Sequence, residues 1–414
     1  MVDIAIIGGG AAGFFAAINI KIKHPNKRVL ILEKTKTVLG KVRISGGGRC
    51  NVTHACFPPK DLIAFYPRGS KELLSIFNQF APLDTIQWFK EKGVELKTES
   101  DGRMFPTTDN SETIVNCFMN ECEKHQIQIK TNYPVQNIEK SSGGFLIQGE
   151  TDTISAKQIV IATGSSNYFW QMLKTFGHTL IAPVPSLFTF NIQHPIIQQL
   201  QGVAIPNVSV KLQIEKTLIK KLGLNAASLE QKGALLFTHW GLSGPAILKL
   251  SAVGARLLNH QNYEFDIALN FCDEAKEETV LNALNEQKKL NPKKQVSTTA
   301  LYNLPNRFWQ LLLQTAISND TITWADISKK DLQQLCLALT AFQLNVKGKS
   351  TFKDEFVTAG GIDLKEIDFK TMQSKLVPGL YFAGEVLNID ALTGGFNFQA
   401  AWSEAWVLAE HMAD

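Results

Sequence analysis

The first thirty-three residues constrain the fold most. Val2-Asp3-Ile4-Ala5-Ile6-Ile7 reads as a buried parallel strand, and Gly8-Gly9-Gly10-Ala11-Ala12-Gly13 follows at once. An apolar, Ala-rich helical pattern runs to about Ile22, and a second strand, Arg28-Val29-Leu30-Ile31-Leu32, ends at Glu33. This is a complete βαβ dinucleotide fingerprint rather than an isolated GxGxxG. Gly8 permits the tight turn, Gly10 lets a pyrophosphate approach the backbone, and Gly13 lets helix and strand pack closely. The helix N-terminus, with Ala11 and Ala12 in its first turn, offers free N–H groups and a partial positive charge to phosphates. Glu33 lies twenty residues past Gly13, where a carboxylate can accept from both ribose hydroxyls. Lys34 follows it.

The loop after Glu33 carries a second signature, Gly40-Lys41-Val42-Arg43-Ile44-Ser45-Gly46-Gly47-Gly48-Arg49-Cys50-Asn51. We expect a long loop here. Three consecutive glycines between Ser45 and Arg49 can wrap a ligand with backbone amides, and Arg49 can hold phosphate or a developing negative charge. Cys50 has no partner in a C-x-x-C beside it, which argues against a redox thiol.

Farther on, Ser111 is a plausible N-cap for a helix over 112–124, and Gln126 to Lys130 reads as a strand. Paired strands at 135–138 and 145–148 flank Ser141-Ser142-Gly143-Gly144. The buried strand Gln158-Ile159-Val160-Ile161 runs into Ala162-Thr163-Gly164 and can return the chain to the first sheet. From about 188 the composition changes to alternating β-rich runs, with Phe237-Thr238-His239-Trp240-Gly241-Leu242-Ser243-Gly244-Pro245 among them. Pro245 fits the first position of a helical stretch, 245–258. Residues 273–341 turn helical, with 329–341 amphipathic. Thr358-Ala359-Gly360-Gly361-Ile362 reads as a tight turn. Gly379 to Glu385 reads as a short strand ending in the pair Gly384-Glu385. Gly394-Gly395-Phe396-Asn397 then opens a helix to about Met412. If that helix aims its N-terminus at a flavin N1–C2=O edge, it stabilises the anion formed on reduction.

At 414 residues the chain has room for two or three domains. Its net charge of +4 is slight and its lysines are scattered, so the balance does not argue for nucleic acid. No apolar run approaches membrane-spanning length, and no basic segment opens a signal peptide. Six cysteines without zinc-type spacing, and no metal site, fit a reducing cytoplasm. The sequence does not speak to oligomeric state.

With both ends read, the chain resembles the BaiN-like flavoproteins, also described as aminoacetone-oxidase-type FAD-binding enzymes. The resemblance rests on GKVRISGGGRCNVTH (40–54), GRMFP (102–106), LFTHWGLSGPA (236–246), TAGGI (358–362) and GLYFAGEVLNIDALTGGFNFQAAW (379–402), and spans nearly the whole length. It implies an α/β fold with a Rossmann-like FAD-binding domain of the glutathione-reductase-related kind. That domain is discontinuous, 1–187 with 347–414. The inserted domain, 188–346, divides into a β-barrel part (188–271) and a helical part (272–346). The resemblance implies FAD at the first fingerprint. Gly8, Gly10, Ala12 and Gly13 would meet the pyrophosphate and Glu33 the adenosine ribose. Gly40, Lys41, Ser45, Gly46, Gly48, Arg49, Cys50 and Asn51 would line the cofactor, and Val135 would touch adenine. Ala162, Thr163, Gly164, Gly384, Glu385, Gly395, Phe396 and Asn397 would border the ribityl and ring region. Lys41 departs from the arginine common there, keeping the charge and losing the bidentate fork.

The expected chemistry is hydride transfer through flavin N5 between a reduced donor and a small organic substrate such as an enone. Where NAD(P)H is the donor, it would bind transiently against the flavin, because no second GxGxxG is present. The insert would cover the ring face and set substrate choice. Amine oxidation of the aminoacetone type with oxygen is the alternative. A tRNA-modifying flavoprotein and a flavin-binding sensor without turnover rank behind it. His239 is the one insert residue nominated as an acid or ligand contact. Phe188, Phe190, Phe237 and Trp240 could form an apolar pocket, though plain barrel core is the simpler reading.

Overall fold

The computed structural model describes residues 1–221, 225–317, 319, 321–350 and 357–412. The segment 351–356, which the sequence reading places in the returning part of the FAD domain, lies outside them. The chain divides into two compact units, Met1–Pro185 with Lys353–Asp414, and Ser186–Phe352. Each has its own hydrophobic core.

The first unit is built on a parallel sheet. Val2–Ile7 pairs with Val29–Leu32 on one side and Thr153–Ile161 on the other. Gln128–Lys130 extends one edge and Leu380–Phe382 the other, all parallel. In sequence rank this is the order 3-2-1-4-5 of a doubly wound nucleotide fold, which places a crevice at the carboxyl ends of the first and fourth strands. The two strands at the centre are apolar except for Asp3 near the start of the first, because both faces are covered. One cover is the pair of helices Ala11–Lys23 and Phe396–His411. Phe15 of the first lies 5.2 Å from Trp402 of the second and 4.5 Å from Trp88, ring centre to ring centre. Asn137–Ser141 and Gly144–Gln148 form the foreseen hairpin, which continues antiparallel onto Thr153–Ile161. A buried ion pair, Arg68 with the fully buried Asp390, ties the helical segments before Ser70 to the loop that precedes the last helix.

In the second unit the sheet is antiparallel throughout. Its order is 342–347, 264–270, 204–213, 230–237, 241–243, 189–191, 349–350. The two outer strands are consecutive in the chain, separated by Gly348 at φ +143°. One bent segment therefore serves both edges, and the sheet closes on itself. Helices Glu277–Leu290, Asn306–Ala316 and Lys329–Thr340 follow the strand Glu264–Asn270.

Several local expectations change. The helix over Glu112–Lys124 is present, but Ser111 does not cap it: its hydroxyl donates to the Arg43 carbonyl at 2.8 Å. Thr358–Ile362 is not a tight turn but part of the strand Val357–Ile362. Gly360 and Gly361 hold φ values of +138° and +132°, and a Cβ on Gly360 would lie 2.6 Å from Pro183 Cα. The stretch from Pro245 breaks at Gly254 into helices Pro245–Val253 and Ala255–His260.

Candidate flavin site

The glycine turn follows from close approach. Gly8 sits at φ +117°, and a Cβ there would lie 2.3 Å from the Ala162 carbonyl oxygen. A Cβ on Gly13 would lie 2.1 Å from the Gly8 carbonyl oxygen. These two glycines let the first strand, the helix and the Ala162–Gly164 segment meet. Gly10 differs, since a Cβ there would meet no protein atom within 4 Å. The space beside it lies at the start of helix Ala11–Lys23, which has neither a side-chain cap nor an acid in its first turn. Its first amides and dipole are thus left for an anion from outside the chain.

Glu33 stands beside this turn. One carboxylate oxygen accepts from the Gly9 N–H at 2.9 Å, and the other accepts from the Thr35 N–H and hydroxyl at 2.9 and 2.8 Å. The backbone of Tyr133, two residues before the buried Val135, donates to the Glu33 carbonyl at 2.9 Å. Lys34 is exposed.

The stretch from Gly40 is not the long loop expected. It is the helical element Gly40–Gly48, broken at Ser45 (ψ 147°), with Gly46 and Gly47 in left-handed conformation. Buried Val42 anchors it, and the Leu39 N–H donates to the Gly9 carbonyl at 2.8 Å, which fixes Gly40 and Lys41 beside the first turn. The Ser45 hydroxyl turns inward to the Val42 carbonyl. A Cβ on Gly46 would press to 2.9 Å from the Phe105 ring, whereas Gly40 and Gly48 face open space. Lys41 Nζ reaches Glu385 at 2.6 Å, joining two residues far apart in sequence.

Arg49 goes elsewhere. Its guanidinium lies 3.9 Å from the Phe105 ring centre and pairs with Glu99 at 2.6 Å and Asp109 at 3.4 Å. The Glu99 carboxylate holds its pKa above the ordinary value. The charge reserved by sequence for a phosphate is therefore engaged by two acids. Cys50 is fully buried at φ +62°, and burial pushes its thiol up to about 12, so it is inert rather than redox-active. Asn51 clamps the other end of the site. With its amide oriented for both bonds, its oxygen accepts from Gly395 N–H at 3.0 Å and its nitrogen donates to the Thr53 carbonyl at 3.1 Å.

The second strand end brings Gly384 and Glu385 to the same place. A Cβ on Gly384 would lie 3.1 Å from Ala12 Cβ, and one on Gly164 would lie 3.9 Å from a Glu385 carboxylate oxygen. Glu385 also accepts from the Thr358 N–H at 2.9 Å. The Thr163 hydroxyl is buried without a partner among the described residues. The last helix begins at Phe396 behind Gly395 (φ +93°), again with no side-chain cap and no acid in its first turn. Phe396 stacks on Phe65 at 4.2 Å and on His54 at 4.5 Å, so its ring packs within the protein. Asn397 brackets Ala391, accepting from its N–H at 2.9 Å and donating to its carbonyl at 3.3 Å.

Glu404, on the same helix, was not singled out from sequence. It is fully buried, and one oxygen accepts from the Gly384 N–H at 2.6 Å while the other has no partner among the described residues. Burial pushes its carboxyl up to about 8. The signal was a lone acid in the run Ala400-Ala401-Trp402-Ser403-Glu404-Ala405-Trp406-Val407-Leu408, where an exposed helix face was not available.

In the second unit Phe188, Phe190 and Phe237 are barrel core, each no more than 1% exposed. His239 is neither core nor buried: it stands on the tip between Glu230–Phe237 and Gly241–Ser243, in contact with Gln201.

These residues fit a dinucleotide such as FAD. Two uncapped helix N-termini, open space at Gly10, the orphaned Thr163 hydroxyl and the acid Glu33 all belong to the first unit. The chain matches the model of the HI0933-like protein Rossmann domain over residues 2–411. It is 31% identical to a ribosomal RNA dihydrouridine synthase of Escherichia coli, covering 99% of this chain and 98% of that one. It is 23% identical to a 3-dehydro-bile acid delta(4,6)-reductase of Clostridium scindens, covering 99% of both. The crystal structure of a 3-ketosteroid-delta4-(5alpha)-dehydrogenase from Rhodococcus jostii shares its fold, with a TM-score of 0.50 at 13% identity over 99% of this chain and 96% of that one. The chain belongs to the HI0933-like Rossmann-domain family and is an FAD-dependent oxidoreductase.

Proposed function

We propose that this enzyme saturates a carbon–carbon double bond conjugated to a carbonyl, and that its substrate is a uracil ring in ribosomal RNA. The observation that carries the reading is the 31% identity, end to end, with a protein named for making dihydrouridine in ribosomal RNA. Dihydrouridine is uridine with its C5=C6 bond, conjugated to the C4 carbonyl, reduced. The relative named for bile acid reduction points to the same bond type in another substrate. The balance is NAD(P)H plus a proton plus the unsaturated ring, giving NAD(P)⁺ and the saturated ring. Bound FAD would supply the two-electron carrier between donor and substrate.

The chain's own residues would hold and orient that carrier. The amides opening helix Ala11–Lys23 and the space at Gly10 would take the pyrophosphate. The oxygens of Glu33 keep lone pairs beyond the three bonds they accept, which suits ribose hydroxyls. Lys41 and Glu385, with Thr163 and Gly164, would border the ribityl chain. The amides opening helix Phe396–His411 would place positive potential where the ring carries charge. RNA is a partner that the small net charge did not single out.

The test is an anaerobic titration of purified holoprotein with NADPH and NADH, followed at the visible flavin band, then challenge with acceptors. Bleaching by a nicotinamide and recovery with uridine-containing RNA supports the reading. Recovery with a steroid enone and not with RNA moves the substrate to a small molecule. Bleaching only by an amine, with oxygen uptake, overturns the reductase in favour of an oxidase.

A further inference from the structure

The helical part of the second unit gathers lysine at one end. Lys288, Lys289, Lys293 and Lys294 stand in one short stretch and Lys329 and Lys330 in another. Over residues 288–294 and 322–331 the acids are two, Asp326 and Asp331, so these seventeen residues hold an excess of four positive charges, equal to the net charge of the whole chain, +4. Along the sequence the lysines look scattered, because helix Asn306–Ala316 lies between the two stretches.

The fold brings them together. Helix Glu277–Leu290 ends in the first stretch, and the turn after it lies against the segment that leads into helix Lys329–Thr340. Trp324 N–H donates to the Lys294 carbonyl at 3.0 Å, and Ala325 N–H donates to the Pro292 carbonyl at 2.9 Å. Lys288 Nζ donates to the Ile327 carbonyl at 2.6 Å, which ties the end of one helix to the start of the next. Lys289, Lys293, Lys294, Lys329 and Lys330 are exposed. None of these five has a carboxylate partner among the described residues. Exposed lysines on the sheet of the same unit do: Lys211 pairs with Glu230 at 3.1 Å, and Lys232 with Asp273 and Glu274. The two acids at hand are engaged locally, since Asp326 accepts from the Thr323 hydroxyl at 2.5 Å and Asp331 from the Ser328 hydroxyl at 2.7 Å. Glu286, on the turn before Lys289, forms no ion pair among the described residues.

Helix stability does not account for the cluster. Lys289 suits the carboxyl end of its helix, but Lys329 and Lys330 occupy a first turn, where the dipole favours acids. Like charges held together without counter-charges repel one another, a cost that an anion from outside the chain removes. Lysine meets phosphate as a point charge, and a row of ammonium groups without carboxylates suits a polymer of phosphates. A membrane surface would ask for an apolar face beside the lysines. Among the described residues there, Leu290 is the one large apolar side chain left open, while Val280 and Leu284 turn to the core.

We infer that this lysine-rich end of the helical part is an RNA-binding surface, its ammonium groups meeting the phosphates of a strand. The choice of RNA as the polyanion rests on the reading of the enzyme as an RNA reductase, whereas the surface itself rests on the lysines.

The experiment uses FAD-loaded protein and fluorescence anisotropy of a labelled oligouridylate, titrated at several salt concentrations without nicotinamide. Wild type is expected to bind, with log affinity falling as log salt rises. Two double variants, Lys293→Gln with Lys294→Gln and Lys329→Gln with Lys330→Gln, should each lower that slope by about 1.4, two phosphate contacts on a single strand, and weaken binding roughly 25-fold at about 0.1 M salt. The control, Lys211→Gln with Lys232→Gln, removes the same charge from lysines already paired and should leave the slope unchanged. All these side chains are exposed, and scanning fluorimetry should show melting temperatures no lower than wild type for the two patch variants. A control that weakens binding as much as the patch variants do, or patch variants that bind as wild type does, overturns the proposal. So does binding to phosphatidylserine vesicles that the patch variants lose while their RNA affinity holds. A protein that binds RNA through these lysines and never reduces it would sink the functional reading and leave the surface standing; one that reduces RNA uridine equally well with and without them would do the reverse.

Discussion

Replacing Glu404 by glutamine removes one titratable proton from a place water does not reach. The carboxyl is fully buried, accepts one hydrogen bond from Gly384 N–H at 2.6 Å, and has its other oxygen unpartnered among the described residues. Tyr66, the neighbouring titratable group, is itself buried and held neutral, its phenol pushed upward chiefly by burial. Burial raises the Glu404 pKa from 4.5 to about 8 in the folded chain. The folded state therefore holds a proton that the unfolded state releases between these values. This contribution to stability is fully present below about 4.5 and is lost as pH rises towards about 8. At about 1.4 kcal/mol per pH unit of difference, the loss between pH 5 and pH 8 is on the order of 3 kcal/mol. Glutamine fills the same volume and carries no such slope. It places a second buried donor without an acceptor, a roughly constant cost of about 1–3 kcal/mol. Glu404→Gln should thus melt below wild type at pH 5 and gain on it steadily, by roughly 6 °C across the range at about 2 °C per kcal/mol. Differential scanning fluorimetry of both proteins from pH 5 to pH 8 measures this directly. A gap between the two that stays constant with pH would refute the argument that Glu404 is a buried acid kept neutral by its surroundings.

The glycine turn makes a paired prediction. Gly10→Ala should fold normally and lose FAD affinity, because its methyl enters space that no protein atom occupies, whereas Gly13→Ala should lose roughly 1–3 kcal/mol or more of stability, measured by urea unfolding, because its methyl meets the Gly8 carbonyl. Lys41→Ala should release FAD more readily while leaving the melting temperature of FAD-free protein within about 1 °C, since the exposed Lys41–Glu385 pair adds little to the fold. Asp390→Ala should cost about 3–5 kcal/mol in urea unfolding, because it removes the fully buried carboxylate that faces the largely buried Arg68 guanidinium. Cys50 should resist alkylation by iodoacetamide in native protein at pH 8 and react once the chain is unfolded, its thiol lying near 12 and out of solvent.

The nucleotide half was legible because its signals are local. The spacing of Gly8, Gly10 and Gly13 and the apolar strands around them are fixed by backbone contact within thirty residues, and the structure repeats them. The acid partners of Arg49, Glu99 and Asp109, were not legible because they lie fifty and sixty residues away and nothing in the local run announces them. The helix in Gly40–Gly48 was hidden by its glycines, which weigh against a helix until Leu39 and Val42 anchor it from the core. Barrel closure depends on Gly348 bending one segment so that it pairs at both edges, a property of three dimensions that alternation along 342–350 does not carry.

Nucleoside analysis of ribosomal RNA tests the central claim most directly. An unmodified ribosomal RNA transcript is incubated anaerobically with the FAD-loaded enzyme and NADPH, digested, and examined by mass spectrometry. The account predicts a nucleoside two hydrogen atoms heavier than uridine, in an amount equal to the NADPH consumed. Uridine left unchanged throughout, while the same enzyme turns over a steroid enone with NADPH, would contradict it.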